Sequence, residues 1–305
     1  MEDIRRVAVV GLGAMGAIYA QCIVQNAPEV QVAAMVRDRQ SYLDHPVTIN
    51  GRPLAVEYVD DYLPRPADLV IVAVKNHHLP QVIKQMEDFV GSGTLILSLL
   101  NGIDSEEQLA RAYGWERVLF SVVVGIDANR ENRAVRLNKL GEIHFGRKQN
   151  RQLSEDVLRV KALFDKAKIP YQIPEDMEKC LWWKLLINIG MNQVSTVKQL
   201  TYGEFRNDPE AMALMTEAQR EVIAVARRLG VDLGEADIAR WQRQLTTLTP
   251  NGRSSMLQDY WSGRKTEVDA MGDKICALGR QLGIPTPVNR QLSQQIHAMD
   301  KANGF

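Results

Sequence analysis

Residues Arg6–Gly16 read RVAVVGLGAMG. Arg6 to Val10 is a short β-branched run, and it stops at the turn Gly11-Leu12-Gly13-Ala14-Met15-Gly16. A helical segment, Ala17 to Gln25, and a second β-branched run, Val30 to Val36, follow it. Strand, GxGxxG turn, helix, strand is the order that a dinucleotide fingerprint requires. Gly11 permits the tight turn, Gly13 lets a pyrophosphate approach the backbone, and Gly16 lets the helix pack against the strand. The helix N-terminus then presents unpaired N–H groups to the phosphates. The stretch predicts a Rossmann-type domain, with Gly11, Leu12, Gly13, Ala14, Met15 and Gly16 as cofactor contacts.

The end of the second strand bears on which dinucleotide. An acidic residue there holds a ribose 2′-OH, whereas an arginine accommodates a 2′-phosphate. The strand closes with Met35-Val36-Arg37, and a guanidinium matches a phosphate with two parallel hydrogen bonds. Arg37 therefore favours NADP. Asp38 remains the acid of an NAD site if the register slips by one residue.

Farther along, Pro46 to Val59 alternates and turns at Asn50-Gly51, as a small hairpin does. Leu69 to Val74 (LVIVAV) is apolar throughout, like a buried parallel strand, and ends in Lys75-Asn76. Thr94 to Leu100 ends in Asn101-Gly102, and Val118 to Val124 ends in Gly125. Open α/β sheets bind ligands at the carboxyl ends of their strands, which makes Lys75 and Asn101 candidate contacts; solvated loop starts are the plainer alternative for each. Ala134 to Gly146 looks like a pair of strands closing the domain, followed by a helix, Leu153 to Lys168, and an extended piece, Pro170 to Pro174.

Beyond Pro174 every strong signal is helical: Asp176 to Gln199, Pro209 to Leu229, Leu233 to Leu248, Ser254 to Trp261, Thr266 to Leu282 and Asn289 to Lys301. The fold class expected is α/β, with a Rossmann domain over 1–174 and an all-helical domain over 175–305. In the first of these helices, Leu181 to Val197 reads LWWKLLINIGMNQVSTV, and Lys184 is its one charge. Four-residue steps advance about 6 Å and drift only about 40° around a helix. Lys184, Asn188 and Asn192 therefore form a polar stripe on an apolar rod. Burying an ammonium costs several kcal/mol unless a partner offsets it; the alternative is that Lys184 snorkels to the surface.

Composition narrows the partners. The 305 residues carry 37 Lys plus Arg and 37 Asp plus Glu, so no net field favours nucleic acid or an anionic membrane. No apolar run approaches the ~18 residues of a membrane span, and glycine interrupts the N-terminal apolar run too early for a signal peptide. The expected location is cytoplasmic. Cys22, Cys180 and Cys276 are odd in number and widely spaced, as free thiols are. The five histidines show no ligand spacing, so no metal is assigned.

Several motifs in order resemble the ketopantoate reductase (2-dehydropantoate 2-reductase) family: GLGAMG at Gly11–Gly16, Val74-Lys75, Asn101-Gly102, and WKLLIN with a further Asn over Trp183–Asn192. SSMLQD at Ser254–Asp259 and GRKTEVD at Gly263–Asp269 complete the set. The likeness runs from about Val7 to Leu292. It implies NADPH-dependent reduction of 2-dehydropantoate to pantoate, a step of pantothenate and coenzyme A biosynthesis. It also implies that Lys184 is the general acid and that Asn188, Asn192 and Ser255 contact substrate. Asn101 would touch both substrate and cofactor. Glu267 would orient substrate and approach the nicotinamide ribose. Lys75 would contact the cofactor, and Arg37 its 2′-phosphate. A small 2-oxo acid is the implied partner, and a homodimer is compatible with the sequence.

The plainer readings are helix capping for Ser254-Ser255 and a first-turn carboxylate after Thr266 for Glu267. Two departures from the family pattern bear on the pocket: Gln193 stands where a proline is common, and Val124-Gly125-Ile126-Asp127 replaces small polar residues. A β-hydroxyacid dehydrogenase-like oxidoreductase and a non-catalytic NADP-binding sensor on the same fold are the rival readings.

Overall fold

The computed structural model describes residues 3–60 and 65–305. By its contacts the chain divides into two compact units, one running to Leu100 and over Asp104–Cys180, the other comprising Asn101–Ile103 and Leu181–Phe305. The division falls inside a helix, later than Pro174, and it assigns the short Asn101–Ile103 loop to the second unit.

The first unit carries β1 (Arg6–Val10), β2 (Gln31–Met35), β3 (Thr48–Ile49), β4 (Arg52–Pro53), β5 (Glu57–Val59) and β6 (Ala67–Val72). It continues with β7 (Val90–Ser98), β8 (Val118–Val124), β9 (Asp127–Glu131), β10 (Ala134–Lys139), β11 (Glu142–Gly146) and β12 (Tyr171–Gln172). Eight strands form one sheet in the order β12-β11-β8-β7-β6-β1-β2-β5. Its β5 to β8 portion is parallel, and β11 runs antiparallel to β8. Chain order reverses between β1 and β6, the switch point where doubly wound sheets bind ligands. Along β1, Val7 and Val9 join one apolar cluster, while Ala8 and Val10 join another. A strand buried on both faces has to be apolar at every position.

A smaller sheet has the order β4-β3-β10-β9. Its β3–β4 hairpin turns through Asn50 (φ 48) and Gly51 (φ 79), the left-handed pair of a type I′ turn. The pair of strands expected over Ala134–Gly146 is present as β10 and β11, but the two do not pair with each other. β10 pairs with β9 and β3, and β11 joins the main sheet. β9 escapes the sequence pattern because its residues are all exposed or half-buried.

The second unit is helical. Pro209–Arg228, Glu235–Leu245, Ser255–Trp261 and Pro287–Ala302 lie close to the expected spans. Two expected helices are interrupted. Asp176–Gln199 resolves into Met177–Asn188, a π-helical turn Ile189–Gln193, and Val194–Lys198. Thr266–Leu282 resolves into a 3-10 turn, Val268–Ala270, and a helix, Gly272–Leu282. The hydroxyl of Thr266 donates to Asp300 (2.7 Å) instead of capping a helix, which leaves Glu267 on a non-helical bend.

Candidate active site

The glycine turn of the first unit meets the requirements of a dinucleotide loop. Gly11 has φ +98, and a Cβ there would lie 2.6 Å from Val74 Cγ1 and 2.8 Å from the Ala73 carbonyl oxygen. A Cβ on Gly16 would fall 2.1 Å from the Gly11 carbonyl oxygen. Gly13 differs: its nearest neighbour would be 3.7 Å away, an ordinary contact. The fold demands glycine at positions 11 and 16, whereas at 13 glycine leaves room for an approaching group. Gly13 is also the N-cap of the helix Ala14–Asn26, and no side chain caps that terminus. Its amides are oriented to receive an anion.

Arg37 is exposed just beyond β2. Asp38 next to it is the N-cap of the helix Arg39–Asp44, accepting from Ser41 N at 3.0 Å. Lys75 is half-buried ahead of the 3-10 turn Asn76–His78. Two residues outside the expected cofactor contacts join this region. Arg130 of β9 donates from Nη1 to the Leu12 carbonyl, placing a guanidinium on the glycine loop. His78 lies against Arg37, with Nδ1 3.5 Å from Nη2. Adjacent histidines after a strand and an arginine in an exposed strand give no periodic signal, so only the fold reveals them.

The second unit assembles the polar stripe. Asn188 and Asn192 are buried, and Lys184 is half-buried between fully buried neighbours. Asn188 Nδ2 donates to Asn101 Oδ1 (3.2 Å), and Asn101 Nδ2 donates to Glu267 Oε2 (3.2 Å). Residues from three distant segments thus share one chain of hydrogen bonds, with Lys184 one helical turn before Asn188. Glu267 is only 6% exposed, so its carboxylate depends on such donors. Backbone geometry supports this arrangement: a Cβ on Gly102 (φ +102) would lie 3.2 Å from the Ala270 carbonyl oxygen.

Asn192 sits in the π-turn, which turns it away from the direction a continuous α-helix would give. Such turns cluster at functional sites. Its amide reaches Ser255 Oγ at 3.5 Å and Met271 Sδ at 3.9 Å. Ser254 and Ser255 divide the two roles open to them. Ser254 caps the helix by accepting from Leu257 N (3.3 Å) and bonds Ser195 Oγ (2.7 Å), while Ser255 stays exposed.

Asp269, Asp273 and His297 place their ligand-type atoms within 4.8 Å of one another. His297 Nε2 bonds Asp273 at 2.7 Å, Lys265 bonds Asp269 at 2.7 Å, and Ser293 takes the other oxygen of Asp273. The two bonds to Asp273 clamp the helix Pro287–Ala302 against Gly272–Leu282.

The family model described as "Ketopantoate reductase PanE/ApbA" matches residues 7–150, and that of its C-terminal domain matches residues 176–300. The chain belongs to the ketopantoate reductase family. This is a family of oxidoreductases. A 2-dehydropantoate 2-reductase from Aquifex aeolicus is 24% identical over 303 residues, covering 97% of both chains. Among solved structures, a PanE/ApbA family ketopantoate reductase from Ralstonia eutropha JMP134 superposes with a TM-score of 0.85 at 26% identity. It covers 98% of this chain and 100% of that one. A D-mandelate dehydrogenase complexed with NADH and anilino(oxo)acetate has the same fold, with a TM-score of 0.89 at 20% identity and coverage of 98% and 100%.

Within the ketopantoate reductase fold the first of the two departures, Gln193, has a structural explanation. Gln193 is fully buried and donates to Ile189 O (3.2 Å) and Asn289 Oδ1 (2.9 Å), bonds that proline cannot make. A Cβ on Gly272 would strike its Oε1 at 2.2 Å, so Gly272 and Gln193 fit as a pair. Gly125 takes φ +72 in the turn from β8 to β9, where a non-glycine residue would be strained. Among the described residues, no helix is long and apolar enough to cross a membrane.

Proposed function

We propose that this chain is an NADPH-dependent reductase of a small 2-oxo acid, with 2-dehydropantoate first among substrates and pantoate as its product. The observation that carries the reading is the hydrogen-bonded series Asn188–Asn101–Glu267, one helical turn from the ammonium of Lys184. A cation next to oriented amides suits a substrate carrying a carboxylate and a ketone oxygen. The bound nicotinamide would supply the hydride. As negative charge develops on the ketone oxygen, Lys184 stabilises it and gives up its proton there, leaving a neutral amine and an alcohol. Asn188, Asn192 and Ser255 hold the substrate's polar groups, and Glu267, fixed by Asn101, orients it.

The dinucleotide goes to the first unit, on the Gly11–Gly16 loop, with Lys75 as a further contact. Arg37 favours the 2′-phosphate form, and the commitment of Asp38 to its helix cap supports that choice. The D-mandelate dehydrogenase captured with NADH makes cofactor choice a question to settle on this chain's own residues. A second copy in a homodimer is the proposed assembly.

The test is consumption of NADPH and of NADH against a panel of 2-oxo acids. Ketopantoate should be turned over faster than pyruvate or 2-oxobutyrate, because unpaired buried amides penalise an analogue lacking the hydroxyl. Equal rates for pyruvate would remove the substrate assignment and keep the reductase. No turnover of any acid would favour the sensor.

A further inference from the structure

Arg37 follows β2 and His78 closes the turn after β6, and β1 lies between these two strands in the sheet. Their contact at 3.5 Å therefore spans the carboxyl end of β1, where Gly11 opens the glycine loop. A guanidinium offers only donors and keeps its charge at all ordinary pH. Nδ1 of His78 must accept from it, so the imidazole is neutral with its proton on Nε2. Partial burial disfavours the imidazolium most, and the neighbouring His77 ring, 4.1 Å away between centroids, and the Arg37 charge add to this. Together they hold His78 below its ordinary value of 6.5. Among the described residues, the charged and titratable groups acting on His78 are Arg37 from the β2 side and His77 on its own turn.

We propose that His78 is a second reader of the cofactor's 2′-phosphate, taking up a proton as the phosphate docks on Arg37. This deepens the assignment of Arg37 and rests on it. A phosphate dianion beside the pair reverses the sign of the local field, which favours the imidazolium. The protonated ring is then a donor at both nitrogens and serves the phosphate together with the guanidinium. Proton uptake on binding means that NADPH affinity falls as pH rises between the free and bound titration points of His78. NADH lacks the phosphate and gains nothing from the proton.

The second ionisation of the phosphate itself, near pH 6, acts in the opposite sense, because Arg37 prefers the dianion. The His78→Gln variant separates the two. It keeps a neutral hydrogen-bonding side chain and removes the titration, while the phosphate and Arg37 remain.

The experiment is dissociation constants for NADPH and NADH by nucleotide fluorescence between about pH 6 and 8.5, in wild type, His78→Gln and Arg37→Ala. Calorimetry in two buffers of different ionisation heat adds the count of protons taken up. Wild type should lose NADPH affinity relative to His78→Gln as pH rises, by at most about tenfold per pH unit. NADH should be flat in both. Wild type should also take up more protons with NADPH than the variant does. Parallel NADPH profiles and equal proton uptake, with NADPH still preferred through Arg37, would show His78 to be a bystander. If wild type binds NADH as tightly as NADPH, the Arg37 assignment fails and this inference falls with it.

Discussion

Asn101 and Glu267, 166 residues apart in the chain, are joined by a hydrogen bond of 3.2 Å from Nδ2 to Oε2. The same Asn101 accepts from Asn188 through its carbonyl oxygen. Both faces of one amide are used, which fixes its orientation and ties a short loop to the bend that carries a buried carboxylate.

Hydrogen bonds to charged groups contribute about 1.5–3 kcal/mol, and an orphaned buried partner costs comparably. A double-mutant cycle of Asn101→Ala and Glu267→Ala, read by urea denaturation, should therefore give a coupling energy of about 1–3 kcal/mol. Additive effects would mean that the bond is absent in solution.

The glycine loop offers a pair of opposite outcomes. Gly16→Ala places a methyl 2.1 Å from a backbone oxygen, so its melting temperature should drop. Gly13→Ala meets nothing closer than 3.7 Å and should fold as well as wild type, yet bind dinucleotide poorly. Tight cofactor binding by a stable Gly13→Ala protein would show that the pyrophosphate does not pass there.

Much of this was legible in the sequence where a physical rule leaves few alternatives. Apolar strands such as Leu69–Val74 must be buried, and glycines 11 and 16 admit no side chain. Lys184 is conspicuous because an isolated charge on an apolar helix requires an explanation. Three features were not legible. The π-turn at Ile189–Gln193 leaves no composition signal, since its residues suit a plain α-helix. The Asn101–Glu267 bond joins segments whose proximity depends on the whole fold. β9 (Asp127–Glu131) is exposed on one face and only half-buried on the other, with Ala128 its one apolar residue, so no hydrophobic period marks it. Gln193 is part of the helix packing, through a bond to Asn289 that only the fold brings together.

Two arginines should separate cofactor specificity from general affinity. Arg37→Ala should weaken NADPH by about 1.5–3 kcal/mol relative to NADH, the value of a lost charged hydrogen bond. Arg130→Met acts at the glycine loop, which either dinucleotide would use, so it should weaken both alike. Equal losses of the two cofactors in Arg37→Ala would make Arg37 a surface residue.

Glu106 sits 2% exposed in the first turn of the helix Ser105–Tyr113. It accepts from Ser105 Oγ (3.0 Å) and Ser121 N (3.4 Å). Burial pushes its carboxyl up from 4.5 to about 7. The folded state then holds this proton more tightly than the unfolded state. The stabilisation is fully present below about 4.5 and is lost as pH rises through about 7. The loss should be on the order of 3 kcal/mol at most. Urea melts across this window should show the decline, and Glu106→Gln should flatten it and be the more stable protein at pH 8. A wild-type profile indistinguishable from that of Glu106→Gln would mean that Glu106 is ionised in the native state.

Lys184 decides whether the second unit performs catalysis. As general acid it must carry its proton when the substrate binds and surrender it as the alcohol forms. Lys184→Ala should lower kcat by about 10²–10⁴-fold, the usual contribution of a positioned acid or base. Reduction by wild type should fade as rising pH removes the ammonium's proton, and that limb should be missing from the residual activity of the variant. Affinity for NADPH should persist, because Gly11–Gly16 and Arg37 lie in the first unit and Lys184 in the second. Substituting methionine separates loss of the acid from loss of bulk: Lys184→Met keeps a long unbranched stem on the buried helix without the ammonium. A well-folded Lys184→Met enzyme that reduces its best substrate at close to the wild-type rate would refute the general-acid assignment.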